Sequence, residues 1–480
     1  MEDESLAITG EKKGRLNSDK MGKTSIVKLL VTMSLPAIIS MLVQALYNIM
    51  DTVFVGMYYS GLGDAEYNSA TQALSLAFPM QLIVVSIGIG IGVGANTCIS
   101  RKLGEGDREG ASLVAKHAIL LAVACSAVMA IVGLTASSAF IIGLADVGGE
   151  SGKVIEYGTT YLTIVTALSL GTTVEITCSR ILQSTGNMRV PMISQAMGAV
   201  INIALDPIFL FVCGWGVAGA AIATVISQFT SMFFILSMFF VRKQDVSIAP
   251  KGFKFSRKAV KEIVNVGLPA LVTNAIGAVT YVSLMLIMKA YAMGNIPQQV
   301  LGLYFKFNSL IFMPTFGLMQ GALPILGYNY GASQRKRYTS CIKYMILFSL
   351  GFLLIGLALF ETIPEILLGL FSANAQTSEA GAVAFRIIAI GFPGAAFGIT
   401  MINAFQSLQC GVRSLLISLF RQLGIIVPFA AIFGQFGAHM IWTAYPVAEF
   451  IPLFIFFPSL IRTIKKKFDD KELKQKEAIA

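Results

Sequence analysis

The sequence predicts an all-α polytopic membrane protein: twelve transmembrane helices in two six-helix lobes related by a parallel pseudo-two-fold repeat. Three observations carry that prediction. Of 480 residues 55% are hydrophobic and 13% charged, where soluble domains carry about 25% charged residues. Apolar runs long enough to cross a bilayer recur twelve times. The second six repeat signatures of the first six.

The runs fall at 26–50, 69–97, 112–144, 158–180, 190–213 and 216–241, then at 262–291, 298–327, 342–371, 380–408, 414–434 and 437–461. Residues 1–25 read as a polar cytoplasmic amino terminus without the apolar core of a cleavable signal. The amino lobe then spans 26–241 and the carboxy lobe 262–463. Between them lies a basic connector, 242–261, holding Arg242, Lys243, Lys251, Lys254, Arg257, Lys258 and Lys261. A basic tail closes the chain at 464–480. With the amino terminus inside, the segments assigned to the cytoplasm hold 32 of the 36 Lys and Arg residues, Arg413 and Arg421 among them. Lys153, Lys289, Lys306 and Arg386 are the four elsewhere. That asymmetry places both termini in the cytoplasm of a multi-pass cell-membrane protein.

The repeat is legible in three places. Ser34-Leu-Pro36-Ala37 opens span 1 as Gly267-Leu-Pro269-Ala270 opens span 7. Gly90, Gly94, Ala95 and Gly104 match Gly317, Gly321, Ala322 and Gly331 around spans 2 and 8. Gln183-Ser184 and Arg189 match Gln406-Ser407 and Arg413. Six spans per repeat leave both halves pointing the same way, which is a transporter architecture.

The most informative single residue is Asp206, in Asn202-Ile-Ala-Leu-Asp206-Pro207 of span 5. An ionisable group at bilayer depth costs several kcal/mol and usually faces an interior cavity. Asn202 lies one turn earlier on the same face. Pro207 cannot donate a backbone N–H, so the Ile203 carbonyl loses its helical partner. Carboxylate, amide and freed carbonyl suit a proton or small cation; a polar residue satisfied by neighbouring helices is the alternative. In span 1, Gln44, Asn48 and Asp51 form one polar stripe beside Tyr47. Glu175 of span 4 either extends a cation network, contacts a cationic substrate or pairs with Arg180. Lys306 and Arg386 either anchor substrate or satisfy carbonyls.

Other chemistry is not indicated. The six cysteines stand singly, with no CxxC or Cys/His cluster, and no cofactor is expected. The glycines at 88, 90, 92 and 94 lack a preceding strand and mark helix packing rather than a dinucleotide site. No span holds a nucleophile–base set, so the chain does not read as an enzyme. The net charge of +10 is spread between apolar runs, not gathered on one face as nucleic-acid binding requires.

Taken together, Ser34-Leu-Pro-Ala37, Asp51-Thr-Val-Phe-Val-Gly56, Gln183-Ser-Thr-Gly186, Asn202-Ile-Ala-Leu-Asp206-Pro-Ile-Phe209 and Gly216-Val-Ala-Gly-Ala-Ala221 resemble the multidrug and toxic compound extrusion (MATE) family over residues 26–463. The resemblance implies a cation-driven exporter of varied, often cationic or amphipathic compounds, with two lobes flanking a cavity that opens alternately to each side. It also implies an amino-lobe ion site at Asp51, Asn202, Asp206 and Thr224. Some members place an essential acid in span 7 or 10; here span 7 has only Glu262 at its edge and span 10 has none, so coupling falls on the amino lobe.

The expected partners are therefore lipophilic or cationic small molecules, H+ or Na+, and membrane lipid, acting on a monomer. Thioethers adapt to varied ligands, so Met41, Met50, Met192, Met197, Met285 and Met288 join Tyr47, Gln44, Asn48, Glu175 and Lys306 as candidate substrate contacts. A lipid-linked precursor flippase is the second reading, and a channel, which would show a repeated ring of charges or a carbonyl filter, is the third.

Overall fold

The computed structural model describes residues 18–148, 152–242, 244–250, 253–369 and 375–479. Among them every regular element is helical, as a bilayer demands of any chain that cannot close a barrel. Ten helices are long and apolar enough to span a membrane, and two further pairs, each bent at a short break, bring the number to twelve.

In the first half these are α1 (Ile26–Ser60), α2 (Asp64–Gly104), α3 (Arg108–Gly148), α4 (Gly152–Ala167 and Leu170–Ser184), α5 (Arg189–Pro207, continued by a π turn Ile208–Val212) and α6 (Gly216–Val241). The second half repeats the order with α7 (Arg257–Ala290), α8 (Asn295–Gly331), α9 (Arg335–Thr362), α10 (Ala375–Ala389 and Phe392–Ser407), α11 (Gly411–Leu419, a π turn Phe420–Ile426, then Val427–Gly434) and α12 (Ala444–Ile479).

The bends were not foreseen, and they fall at the same place in each half: 47° in α4 and 53° in α10. In α10 the break precedes Pro393, whose ring cannot continue the preceding turn. In α4 no proline is involved. There Gly171 lets the chain approach the backbone at Gln228 and Phe229 of α6, and Gly133 of α3 receives the backbone at Ala167. Most helices run past the expected limits, and three details bear on the site and the tail. Helix α1 continues to Ser60, so Asp51 stands inside a helix rather than at its end. Arg421, expected in an inside segment, sits buried in the π turn of α11. Helix α12 runs unbroken through the basic tail to Ile479; lysine is a good helix former.

By contacts the chain forms two compact units, residues 39–103 with 107–271 and residues 20–38 with 104–106 and 272–480. In the first, α2 and the start of α7 cross where both lack side chains: a Cβ on Gly90 would stand 2.7 Å from the Gly267 carbonyl oxygen. In the second, α8 crosses the start of α1 where α8 alone lacks a side chain, with a Cβ on Gly317 standing 2.7 Å from Cα of Ile38. The first unit also holds the connector, where His117 accepts the Ser256 N–H on Nε2 at 2.8 Å and packs against Phe253 and Phe255.

Candidate functional site

Asp206 is completely buried on the inner face of α5. Its Oδ1 accepts the Asn202 side-chain amide at 3.2 Å, the contact that one helical turn of spacing allows. Its Oδ2 is buried without a donor, as are Oδ1 of Asn202 and Oδ1 of Asp51. Buried acceptors are nearly always paired; among the described residues buried hydroxyl and amide oxygens without donors occur in both units, but the carboxylate oxygens among them belong to Asp51 and Asp206.

Asp51 of α1 and Asp206 of α5 lie close enough for each charge to act on the other. Tyr161 of α4 joins them: its hydroxyl is within electrostatic reach of both carboxylates and accepts the Gln81 amide of α2 at 2.9 Å. Tyr161 and Gln81 escaped sequence reasoning, because a lone tyrosine and a lone glutamine in apolar helices carry no pattern. The backbone contributes as well. Pro207 ends the α-helical hydrogen bonding, and the chain passes into a π turn before Gly216, whose φ of 53° starts α6. Thr224, buried on α6, lies on the helix packed against α5.

The other predicted residues fall into separate places. Tyr47 is hydrogen-bonded to Gln44 and lies within electrostatic reach of Asp51 and Glu175; Asn48 lies in α1, its side chain outside what is described. Glu175 is buried on α4 and accepts hydroxyls from Ser179 at 2.8 Å and Ser194 at 3.4 Å, with the Arg180 charge within reach. Ser194 and Ser231 exchange hydroxyl-to-carbonyl bonds, tying α4, α5 and α6 around it. Met41 and Met197 are half-buried in the first unit. Met285 packs on the core of the second unit, where Lys306 is exposed. Arg386 is held by Glu365 at 3.0 Å and by the Glu361 carbonyl.

The second unit contains a charge pair that sequence reasoning missed. Arg421 Nη2 donates to both oxygens of Glu449, on α12, at 2.5 and 2.6 Å. Gly398 of α10 makes room for the guanidinium, since a Cβ there would lie 3.1 Å from its central carbon. Tyr304 and Tyr445 pack edge to face beside the pair. The partners are 28 residues apart on different helices, so no helical spacing announced them.

A family model described as MatE matches residues 36–208 and 269–432, one block in each half of the chain. This chain belongs to the MATE family of transporters. It is similar to the multidrug export protein MepA of Staphylococcus aureus (strain MSSA476), 27% identical over 430 residues that cover 88% of this chain and 90% of the relative. Two solved structures are similar throughout. One is described as MATE in the bent conformation (TM-score 0.87, 26% identity, 94% of this chain and 98% of the other). The second is the outward-facing conformation of a multidrug resistance MATE family transporter of the MOP superfamily (TM-score 0.86, 26% identity, 93% and 98%). Both matched blocks of this MATE chain contain a proline-marked fifth helix or its repeat, and among the described residues the open carboxylates lie in the first.

Proposed function

We propose that this MATE transporter exports lipophilic, often cationic compounds across the cell membrane in exchange for H+ or Na+, and that Asp206 is the coupling group. The observation that carries the reading is the set of buried acceptor oxygens without donors on Asp51, Asn202 and Asp206. A proton on Asp206 would give it a donor, and a sodium ion would take the same oxygens as ligands. Either removes a buried charge that is otherwise costly. Asp51 and Tyr161 complete the site, and Thr224 borders it from α6. Export follows if the ion-loaded and substrate-loaded states favour opposite openings, because a ligand drives only the equilibrium between states that it binds unequally. The MepA relatives support a multidrug range, and the Lys/Arg distribution supports cytoplasmic termini.

The test is efflux of a fluorescent lipophilic cation from energised vesicles under separately imposed H+ and Na+ gradients. The wild type is expected to export under one gradient, naming the ion. Asp206→Asn is expected to lose at least about tenfold of that rate, equivalent to a little over 1 kcal/mol of coupling. Undiminished export by Asp206→Asn would remove the coupling assignment. No export under either gradient by folded wild type, with lipid scrambling instead, would replace the exporter by the flippase reading.

A further inference from the structure

The second unit holds a basic cavity of about 550 Å³ between the start of α11 and the middle of α12. Arg413 enters it from α11; Arg462, Lys466 and Lys467 enter it from α12. Their spacing sets the three α12 cations on neighbouring positions of one helix face, and Asp470, one turn further, is the single acid of the lining. Four cations thus meet one carboxylate. Cations nearby are neutralised: Arg335 pairs with Asp469 at 3.3 Å, and Lys471 pairs with Glu105 at 2.9 Å while bonding the Gly331 carbonyl. Among the described residues, no such ion pair involves the four cavity cations. Arg413 is oriented toward α12 by its bond to the Thr463 hydroxyl.

The cavity also has an apolar side. Ile455 and Pro458 line it, and Val412, Leu416, Ile455 and Ile461 are exposed alongside, 49–64% accessible. Helix α12 therefore changes from lipid-facing residues to a run of cations within two turns, at this cavity. We infer that the cavity binds the phosphate headgroup of an anionic glycerophospholipid, whose acyl chains lie along the exposed apolar residues of α11 and α12. Guanidinium groups match phosphate oxygens in pairs, and lysines add point charge; basic pockets at a membrane boundary recruit such lipids. A soluble phosphate would satisfy the cations but leave the adjoining apolar surface without a ligand. The bound headgroup would join α11 to α12, whose next turns pack Phe468 on Tyr330 and Tyr338. The inference stands apart from the coupling assignment and concerns a different unit.

The experiment uses the full chain, delipidated in detergent, with dioleoylphosphatidylglycerol, dioleoylphosphatidylcholine and inorganic phosphate as separate probes. Retained lipid is counted by native mass spectrometry and stability is followed by thermal unfolding. Phosphatidylglycerol should be retained and should raise the unfolding midpoint; phosphatidylcholine and millimolar phosphate should do neither. Arg462→Gln/Lys466→Gln/Lys467→Gln should lower the affinity for phosphatidylglycerol at least about tenfold, as loss of three surface-proximal cations implies. The charge-matched control Lys258→Gln/Lys336→Gln/Lys465→Gln, at exposed positions outside the cavity, should keep it. Arg413→Gln, on the other helix, tests the same site if the triple variant folds poorly, and should also weaken retention. Equal loss in the control, equal retention of phosphatidylcholine, or saturable phosphate binding that displaces the lipid would each overturn the proposal.

Discussion

The two units treat an acidic side chain on their inner helices in opposite ways. Each interrupts its fifth helix at a proline with a π turn beside it, Pro207 with Ile208–Val212 and Pro428 with Phe420–Ile426. Each restarts its sixth element from a glycine at positive φ, Gly216 or Gly437. By that alignment Asn202, Asp206 and Thr224 stand where the second unit has Leu423, Val427 and Tyr445. The first unit leaves carboxylate oxygens of Asp51 and Asp206 open; the second closes the Glu449 carboxylate onto Arg421. A buried charge left without a partner is an invitation to an ion, whereas a buried pair has already cancelled its own charge. The backbone device is common to both halves, and side-chain chemistry alone separates a candidate ion site from an internal brace.

If that contrast is right, removing an acid should have opposite structural consequences in the two units. Glu449→Gln strands the Arg421 guanidinium in the interior, and breaking such a pair typically costs about 3–5 kcal/mol. Its thermal midpoint in detergent should fall steeply, and Arg421→Met/Glu449→Gln should recover much of the loss. Asp206→Asn removes a charge with no partner, so its midpoint should stay level or rise. A fall as large as that of Glu449→Gln would break the comparison.

The crossings should behave alike where the acids differ. Gly90→Ala would push a methyl against the Gly267 carbonyl oxygen and Gly317→Ala would push one against Ile38 Cα, each standing 2.7 Å away. Both neighbours are backbone and cannot rotate aside, so each change should cost about 1–3 kcal/mol, measured as loss of thermal stability. Similar losses would confirm one packing rule in both units; a silent Gly317→Ala would limit it to the first.

The smallest difference lies at the helix starts. Asp107 caps α3 by accepting the Gly110 N–H at 2.8 Å and pairs with Lys102 at 2.9 Å, while Gln334 at the start of α9 makes no side-chain cap. The Lys102 ammonium, followed by the Gly110 N–H, holds the Asp107 carboxyl below the usual carboxylate range. A depressed carboxyl contributes stability while it is ionised, so the benefit is complete at neutral pH. It is lost as pH falls below the ordinary aspartate value and through the depressed one. Asp107→Ala should therefore cost about 1 kcal/mol at pH 7, and the gap to wild type should narrow in acid. Gln334→Ala should show no such pH-dependent gap.

Much of this was open to a reader of the sequence for a physical reason. Lipid permits only internally bonded helices, so span number and order follow from apolar length, and Asp206 is conspicuous because its surroundings are not polar. Asn202 is legible with it because four residues make one turn. What stayed hidden depends on contacts between helices. The break in α4 comes from Gly133 and Gly171 meeting neighbouring backbone, with no proline to mark it. Tyr161 reaches the site from a different helix, and the pairing of Arg421 depends on Glu449 of α12, 28 residues away. The length of α1 past Asp51 was also masked, since Tyr58, Tyr59 and Ser60 dilute the apolar run without ending the helix.

The most direct measurement is ion release from purified protein when a lipophilic cation binds, followed by a pH indicator in weak buffer and by a sodium-sensitive dye. Wild type and Arg421→Met/Glu449→Gln should each release one type of ion, H+ or Na+, in proportion to substrate bound, and Asp206→Asn should release none. Release that survives in Asp206→Asn, or that disappears only when the Arg421–Glu449 pair is removed, would contradict the assignment of coupling to the open carboxylate.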